Sequence, residues 1–157
     1  MFSINARLIN PESLDPDDLL VRCGFQKGGP VQCLIDERVL EYSWPYVPAG
    51  PRRILEDSAG PTTEIGSGRV IWNTPYARYQ YYGIVYGPNI PILDKETGVL
   101  LGFFSPPGKK KHPTDKKLTY DTAQNPLAGA HWVDRMKADR MKDILDEARN
   151  LVRKELK

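Results

Sequence analysis

The side chains best suited to acid–base catalysis are scarce in this sequence. Histidine occurs twice, as His112 within a lysine-rich stretch and as His131 beside Trp132. Neither stands at a familiar metal-ligand spacing, and the sequence contains no nucleophile-elbow motif and no Walker-type glycine loop. We therefore expect no catalytic residues, no metal ligands and no cofactor, and a protein that is not an enzyme.

Two other motifs have simpler explanations than chemistry. The stretch "GSG" at residues 66–68 precedes an extended, β-branched segment, whereas a glycine-rich phosphate cradle opens a helix. It is therefore interpreted as a turn. The carboxylates of Asp36, Glu37, Asp143 and Glu147 are interpreted as solvated charges on helix surfaces.

Cysteine content and hydropathy indicate where the chain works. Cys23 and Cys33 are its only cysteines, and without further ligands at metal spacing they are typical of reduced thiols in a cytosolic protein. The sequence has no apolar run of ~18 residues and no apolar leader followed by a cleavage site. We expect assembly in the cytoplasm and no membrane partner.

The most unusual composition is an aromatic cluster in "NTPYARYQYYGIVYG", residues 73–87, which holds five tyrosines and a single charge, Arg78. A buried segment, a ligand-binding box and a protein–protein surface all fit tyrosine, although polar anchors for a ligand are missing. We expect a mixture, with Tyr76 inside the fold. The predicted subunit-interface residues are Trp72, Arg78, Tyr79, Tyr81 and Tyr82.

A lysine cluster follows within residues 109–117. Such a cluster contacts DNA phosphates or an acidic partner, or is simply a solvated loop. No aromatic residue interleaves with the lysines, so base stacking is not indicated. The candidate contact residues are Lys109, Lys110, Lys111, Lys116 and Lys117.

Periodicity and turn residues predict an α+β fold with N-terminal helices, a small twisted, mainly antiparallel sheet and a long C-terminal helix. Two helices are expected to start at Pro16 and Pro30, because proline favours the first helical position. Strands are expected at residues 69–73 and in "GVLLGFF", with a helical turn between Pro75 and Gly83. Residues 105–118 are predicted to form a flexible basic loop.

The C-terminal helix is predicted to cover residues 127–152, with Asn125 as its cap and Pro126 in its first turn. A helix of about thirty residues is ~45 Å long. Such a length exceeds what a small domain covers, so we expect one part to pack on the sheet and the far end to contact a neighbouring chain. Its apolar stripe consists of Ala130, Val133, Met136, Met141, Ile144, Leu145, Ala148, Leu151 and Val152.

We interpret the 157 residues as a single domain. Charged residues are distributed unequally along it. Residues 1–60 carry nine acids and six bases, whereas residues 61–157 carry eleven acids and sixteen bases. This asymmetry suits a subunit that meets unlike neighbours at its two ends, and it is too weak to indicate nucleic-acid binding.

Several motifs together resemble the minor capsid proteins of tailed bacteriophages. In chain order they are the "PYVP" segment, the "IGSG" turn, "RVIWNTPYARYQYYG" and "NPLAGAHWVDRMK", and the resemblance covers roughly residues 20–150. A looser likeness extends to phage neck and tail-completion proteins. The stretch "SPPGKKKHPTDKK" has no counterpart in the family pattern.

The resemblance implies a structural virion protein of the head–tail junction, located in the neck region as a connector or tail-completion ring. It implies copies of the chain in a homo-oligomeric ring, bound to portal-side adaptor or stopper proteins and to tail proteins, with non-specific contact to passing DNA. The alternatives are a tail terminator subunit and a small DNA-binding or packaging-associated protein that uses the lysines.

Overall fold

The computed structural model describes residues 15–50 and 52–156. Helix α1 spans Pro16–Arg22, with the Asp15 carboxylate accepting a hydrogen bond from the Asp17 N–H at 3.0 Å. Helix α2 spans Pro30–Ser43 and continues into a 3-10 turn at Trp44–Tyr46. Both helices start at the predicted prolines. The fold class is α+β, as the sequence predicts.

The core lies between α2, the turn after it and a long C-terminal helix, α6, which spans Trp132–Glu155. Ile35, Val39 and Tyr42 of α2 pack against this core from the helix side. Because α6 packs on α2, the expectation that it packs on the sheet is wrong. The buried centre consists of Tyr46, Val47, Leu55, Trp132, Met136 and Ile144.

Polar contacts border this core on both sides. The Glu147 carboxylate accepts hydrogen bonds from the Arg38 guanidinium at 2.6 Å and from the Tyr42 hydroxyl at 2.7 Å. These two donors, Arg38 above all, lower the pKa of Glu147. On the other side, the Tyr46 hydroxyl donates to Asp139 at 2.7 Å. Glu147, expected to be a solvated charge, therefore joins α2 to α6.

Helix α6 begins later than the sequence predicts. His131, with φ of 51°, occupies the cap position, and its N–H donates to the Tyr81 carbonyl at 2.8 Å. Asn125, predicted to be the cap, is instead buried and donates its amide to the carbonyls of Trp44 at 3.0 Å and Val47 at 2.8 Å. Pro126 accordingly lies before the helix rather than in its first turn.

The apolar stripe of α6 is narrower than the sequence pattern suggests. Met136, Ile144 and Ala148 are buried, whereas Met141 and Leu145 are exposed. The buried positions recur at multiples of four residues, so a single line of side chains faces α2.

The middle of the chain contains short helices. They are α3 at Ile54–Asp57, α4 at Ala59–Thr62 and α5 at Ala77–Tyr82, which ends at Gly83 with φ of 68°. The last of these confirms the predicted helical turn.

The strand predicted at residues 69–73 is absent, and that segment has no regular secondary structure. Two threonine hydroxyls take the place of a partner strand. The Thr62 hydroxyl donates to the Ile71 carbonyl at 2.7 Å, and the Thr63 hydroxyl accepts from the Ile71 N–H at 3.1 Å. The N–H and C=O groups of Ile71 are thus paired without a ladder.

The described strands form two antiparallel pairs. Strand β1 at Ile84–Gly87 pairs with β4 at His112–Lys117. In the sequence between these two strands, β2 at Ile90–Leu93 pairs with β3 at Leu100–Phe104. Strand β3 confirms the prediction made from "GVLLGFF". The basic loop predicted at 105–118 is only partly a loop, because its second half is β4.

Candidate interaction surface

Strands β2 and β3 form a hairpin, residues 90–104, that we call the arm. Ile90 lies opposite Phe104, and Pro91 lies opposite Phe103. The turn between the strands is closed by Asp94, whose carboxylate accepts hydrogen bonds from the N–H groups of Glu96 at 3.0 Å and Thr97 at 2.7 Å. These bonds lower the pKa of Asp94. The arm therefore has a defined, charged tip.

Large apolar side chains are exposed on both faces of the arm. Directly paired residues share a face, so Ile90 and Phe104 lie on one side, and Pro91 and Phe103 lie on the other. Phe103 is 64% exposed and Phe104 is 49% exposed. The other exposed apolar residues of the arm are Ile92, Leu93, Val99, Leu100 and Leu101.

The arm contacts little else in the described part of the chain. Its two strands pair with each other, and no other helix or strand there makes more than marginal contact with them. A two-stranded hairpin alone is marginally stable in water, and contiguous exposed apolar surface usually marks an interaction site. The arm is therefore the strongest candidate for a binding surface.

Sequence reasoning identified β3 as a strand but missed the arm as a site. The signal is the pair of segments "IPIL" and "VLLGFF" around a charged turn. Neither segment alternates polar with apolar residues, as a strand with one solvated face does. In a two-stranded hairpin, the absence of alternation places apolar side chains on both faces, which indicates that both faces bind another surface.

The predicted lysine contacts lie in the connection after the arm and in β4. Lys109 and Lys110 are exposed in the connection between β3 and β4, and Lys116 and Lys117 are exposed on β4. Lys111 differs, because its ammonium donates to the Pro88 carbonyl at 3.2 Å and to the Asn89 side chain. Lys111 thus closes the base of the arm.

The tyrosine cluster is sorted differently from the prediction. Tyr81, expected at a subunit contact, packs on the core with its ring edge-on to Trp132 at 4.8 Å. Its hydroxyl donates to Asp134 at 2.9 Å, and burial together with this carboxylate raises the pKa of Tyr81 to about 12. Tyr76, expected inside, is 38% exposed. The placement of Tyr76 was therefore wrong, and the side chain of Tyr81 fastens α5 to α6.

The remaining predicted interface residues fall into two groups. Trp72 is half-buried, edge-on to Trp132 at 5.8 Å, and Tyr79 lies against Tyr86 at 4.4 Å. Arg78 and Tyr82 are exposed, with the guanidinium over the ring at 5.9 Å. Of the predicted set, this exposed pair is the part most available to a neighbour, and its interface role stays a prediction.

The "GSG" turn binds a carboxylate of the chain itself. Asp36 is 3% exposed and accepts hydrogen bonds from the N–H groups of Gly66 at 2.8 Å and Gly68 at 3.0 Å. Gly66 has φ of 87°, a conformation that glycine adopts without strain. The expectation that Asp36 is a solvated helix charge is wrong, because Asp36 joins the turn to α2.

Residues with potential chemistry are dispersed. Cys23 and Cys33 are free thiols, and His131 lies 3.5 Å from the carboxylate of Asp134. Among residues 15–50 and 52–156, no three metal-ligating side chains converge. None of the helices described there combines the length and hydropathy needed to cross a membrane.

Comparison with known proteins gave no relatives: no protein-family model, no curated protein and no solved structure matches this chain.

Proposed function

We propose that this chain is a structural subunit that assembles with copies of itself into a ring. The observation that carries the proposal is the arm, which exposes apolar side chains on both faces. Eight of these side chains are 47–65% exposed: Ile90, Ile92, Leu93, Val99, Leu100, Leu101, Phe103 and Phe104. Covering each of them contributes on the order of 1 kcal/mol to association.

The proposed location is the neck of a tailed phage, at the head–tail junction, as a connector or tail-completion ring, with a tail terminator as the alternative. This part rests on the resemblance of "RVIWNTPYARYQYYG" to minor capsid proteins. Portal-side adaptor or stopper proteins and tail proteins are the proposed partners. The role is structural rather than catalytic.

Native mass spectrometry of the purified chain, followed by negative-stain imaging, tests the assembly. We expect a closed oligomer of defined subunit number at micromolar concentration. A chain that stays monomeric up to hundreds of micromolar would contradict a self-assembling subunit. An electron microscopy map of tailed particles that carry the protein then tests its location.

The exposed lysines favour one second candidate, a DNA-binding role. Lys109, Lys110, Lys116 and Lys117 lie within a short stretch and are all exposed. Binding through phosphate contacts weakens steeply as salt concentration rises. Salt-dependent retention of duplex DNA by a monomeric chain would favour this role over the ring.

A further inference from the structure

Residues 37–72, which precede the arm in the sequence, form an apolar groove. Its volume is about 430 Å³, within the range of ordinary binding pockets. The groove is formed by α2, the 3-10 turn, the α3–α4 region and the segment after them. Its apolar lining consists of Leu40, Trp44, Val47, Ala59 and Trp72.

The rim of this groove is acidic. Glu37, Glu41, Glu56 and Asp57 line it, and its lining contains no basic residue. Glu41 is paired with Arg38 at 2.6 Å, whereas Glu37 is exposed and makes no ion pair within the described residues. The groove therefore presents an apolar floor with surplus negative charge around it.

Glu56 is the least satisfied of these carboxylates. The residue is 9% exposed, and no described residue donates a hydrogen bond to either of its carboxylate oxygens. The nearest cation is the Arg53 guanidinium at 3.6 Å, which is beyond hydrogen-bond distance. A buried carboxylate without a donor is costly, and because both oxygens are covered, Glu56 adds negative potential to the groove without offering a direct contact.

The arm has the complementary composition. Phe103, an exposed residue near the base of the arm, is followed closely by Lys109 and Lys110, which make no ion pair in the described part of the chain. The apolar side chains of the arm match the apolar floor of the groove. The adjacent lysines are opposite in charge to the carboxylates of the groove's rim. The charged tip at Asp94, Lys95 and Glu96 argues against insertion into a lipid bilayer, where such groups are expensive.

We propose that the arm of one copy binds in the acid-rimmed groove of the next copy, with Lys109 or Lys110 reaching the rim carboxylates. This inference rests on the proposed function and specifies its contact. The donor and acceptor are different surfaces of the same chain, so each copy offers one arm and one groove. Repetition of such a head-to-tail contact closes into a ring when the rotation between copies permits.

Complementation between two broken variants tests the contact directly. Phe103→Asp removes the arm's function, and Glu37→Lys with Trp44→Ala removes the groove's function; all three side chains are exposed, so the fold is expected to survive. We expect each variant alone to be monomeric by native mass spectrometry. Mixed together, they are expected to form a one-to-one complex, in which one intact arm meets one intact groove. Val21→Asp, an exposed apolar position on α1, serves as the matched control and is expected to assemble as wild type does.

A second variant separates a binding role from a structural one. Glu56→Gln removes a buried charge that accepts no hydrogen bond and whose nearest cation, the Arg53 guanidinium, lies 3.6 Å away, so the monomer is expected to melt at a higher temperature than wild type. The same change is expected to weaken association several-fold, because the groove loses part of the negative potential that attracts the arm lysines. A purely structural role would not produce stronger folding together with weaker assembly.

The outcomes are distinguishable. Wild-type rings that persist in both broken variants would overturn the arm–groove contact while leaving the proposed ring intact. Loss of assembly in both variants without a mixed complex would overturn the pairing. A monomeric wild type would overturn the ring and the contact together. If that monomer floated with phosphatidylglycerol vesicles and Phe103→Asp did not, the arm would be a membrane-binding element instead.

Discussion

The α2–α6 pair and the arm both contain large apolar side chains, which are buried in the helix pair and exposed in the arm. In α6, Met136, Ile144 and Ala148 are buried, and most of the positions between them carry charged side chains. In the arm, Leu101 and Phe103 are 65% and 64% exposed. A helix with one line of apolar side chains can bury that line against its own chain. A two-stranded hairpin with two apolar faces needs another surface to cover them. The difference separates what folds the subunit from what is available for binding.

The largest effect expected from this contrast comes from two methionines on the same helix. Met136→Asp buries an unpaired charge in the core and is expected to lower the free energy of unfolding by roughly 3 kcal/mol or more. Met141→Asp places the charge at an exposed position and should cost less than about 1 kcal/mol. Urea unfolding followed by circular dichroism, at concentrations where the chain is monomeric, measures both. Equal costs would mean that the core is not arranged as described.

A smaller effect is expected at the carboxylate that joins the "GSG" turn to α2. Asp36→Ala leaves the N–H groups of Gly66 and Gly68 without an acceptor and is expected to cost about 2–3 kcal/mol. The adjacent Glu37 is exposed on the same helix, so Glu37→Ala is the matched control, with a change below ~0.5 kcal/mol. If the two substitutions cost the same, the turn does not depend on Asp36.

Glu147 is expected to contribute stability that depends on pH. Its pKa is lowered in the folded protein by Arg38 and then by Tyr42, so its contribution is present above the ordinary glutamate pKa of about 4.3 and is lost as pH falls through the lower folded value. Glu147→Gln should therefore cost about 1–2 kcal/mol at pH 7 and progressively less below pH ~4.

The control for this pH dependence is Asp146, which pairs with Arg149 at 3.0 Å on the exposed surface of α6. Asp146→Asn should change the unfolding free energy by only a few tenths of a kcal/mol at either pH. A Glu147→Gln cost that stays constant down to pH 3 would contradict the proposed origin of the effect.

The smallest effect on folding is expected in the lysine connection. Lys109→Ser with Lys110→Ser should leave the free energy of unfolding within ~0.5 kcal/mol, because both side chains are exposed. Association should weaken by several-fold and lose part of its dependence on salt. Lys111→Ser provides the contrast, since it also removes the contacts to Pro88 and Asn89 at the base of the arm. An unchanged association constant in the double variant would exclude these lysines from the contact.

Local rules predicted the elements whose signals are local. Pro16 and Pro30 mark helix starts because proline suits the first turn, and Gly83 ends α5 because it adopts a left-handed conformation. Apolar spacing likewise located the long helix, although Met141 and Leu145 lie outside its buried line.

Errors arose where a distant partner decides the outcome. Asn125 has the composition of a helix cap, yet its amide is used by the Trp44 and Val47 carbonyls, far away in sequence. The segment at residues 69–73 has no partner strand, and the hydroxyls of Thr62 and Thr63, earlier in the chain, pair with the backbone of Ile71 instead. For the candidate site, the lysines and aromatics were identified by type, but only tertiary packing separates the inward Tyr81 from the exposed arm.

Hydrogen exchange measured by mass spectrometry, above and below the concentration at which rings form, tests the central claim most directly. The account predicts that the amides of residues 90–104 exchange rapidly in the monomer, since a lone hairpin opens readily, and become protected in the ring. Peptides around Glu37, Trp44 and Glu56 are predicted to gain protection at the same time. Arm amides that exchange equally fast in monomer and ring would contradict assembly through the arm.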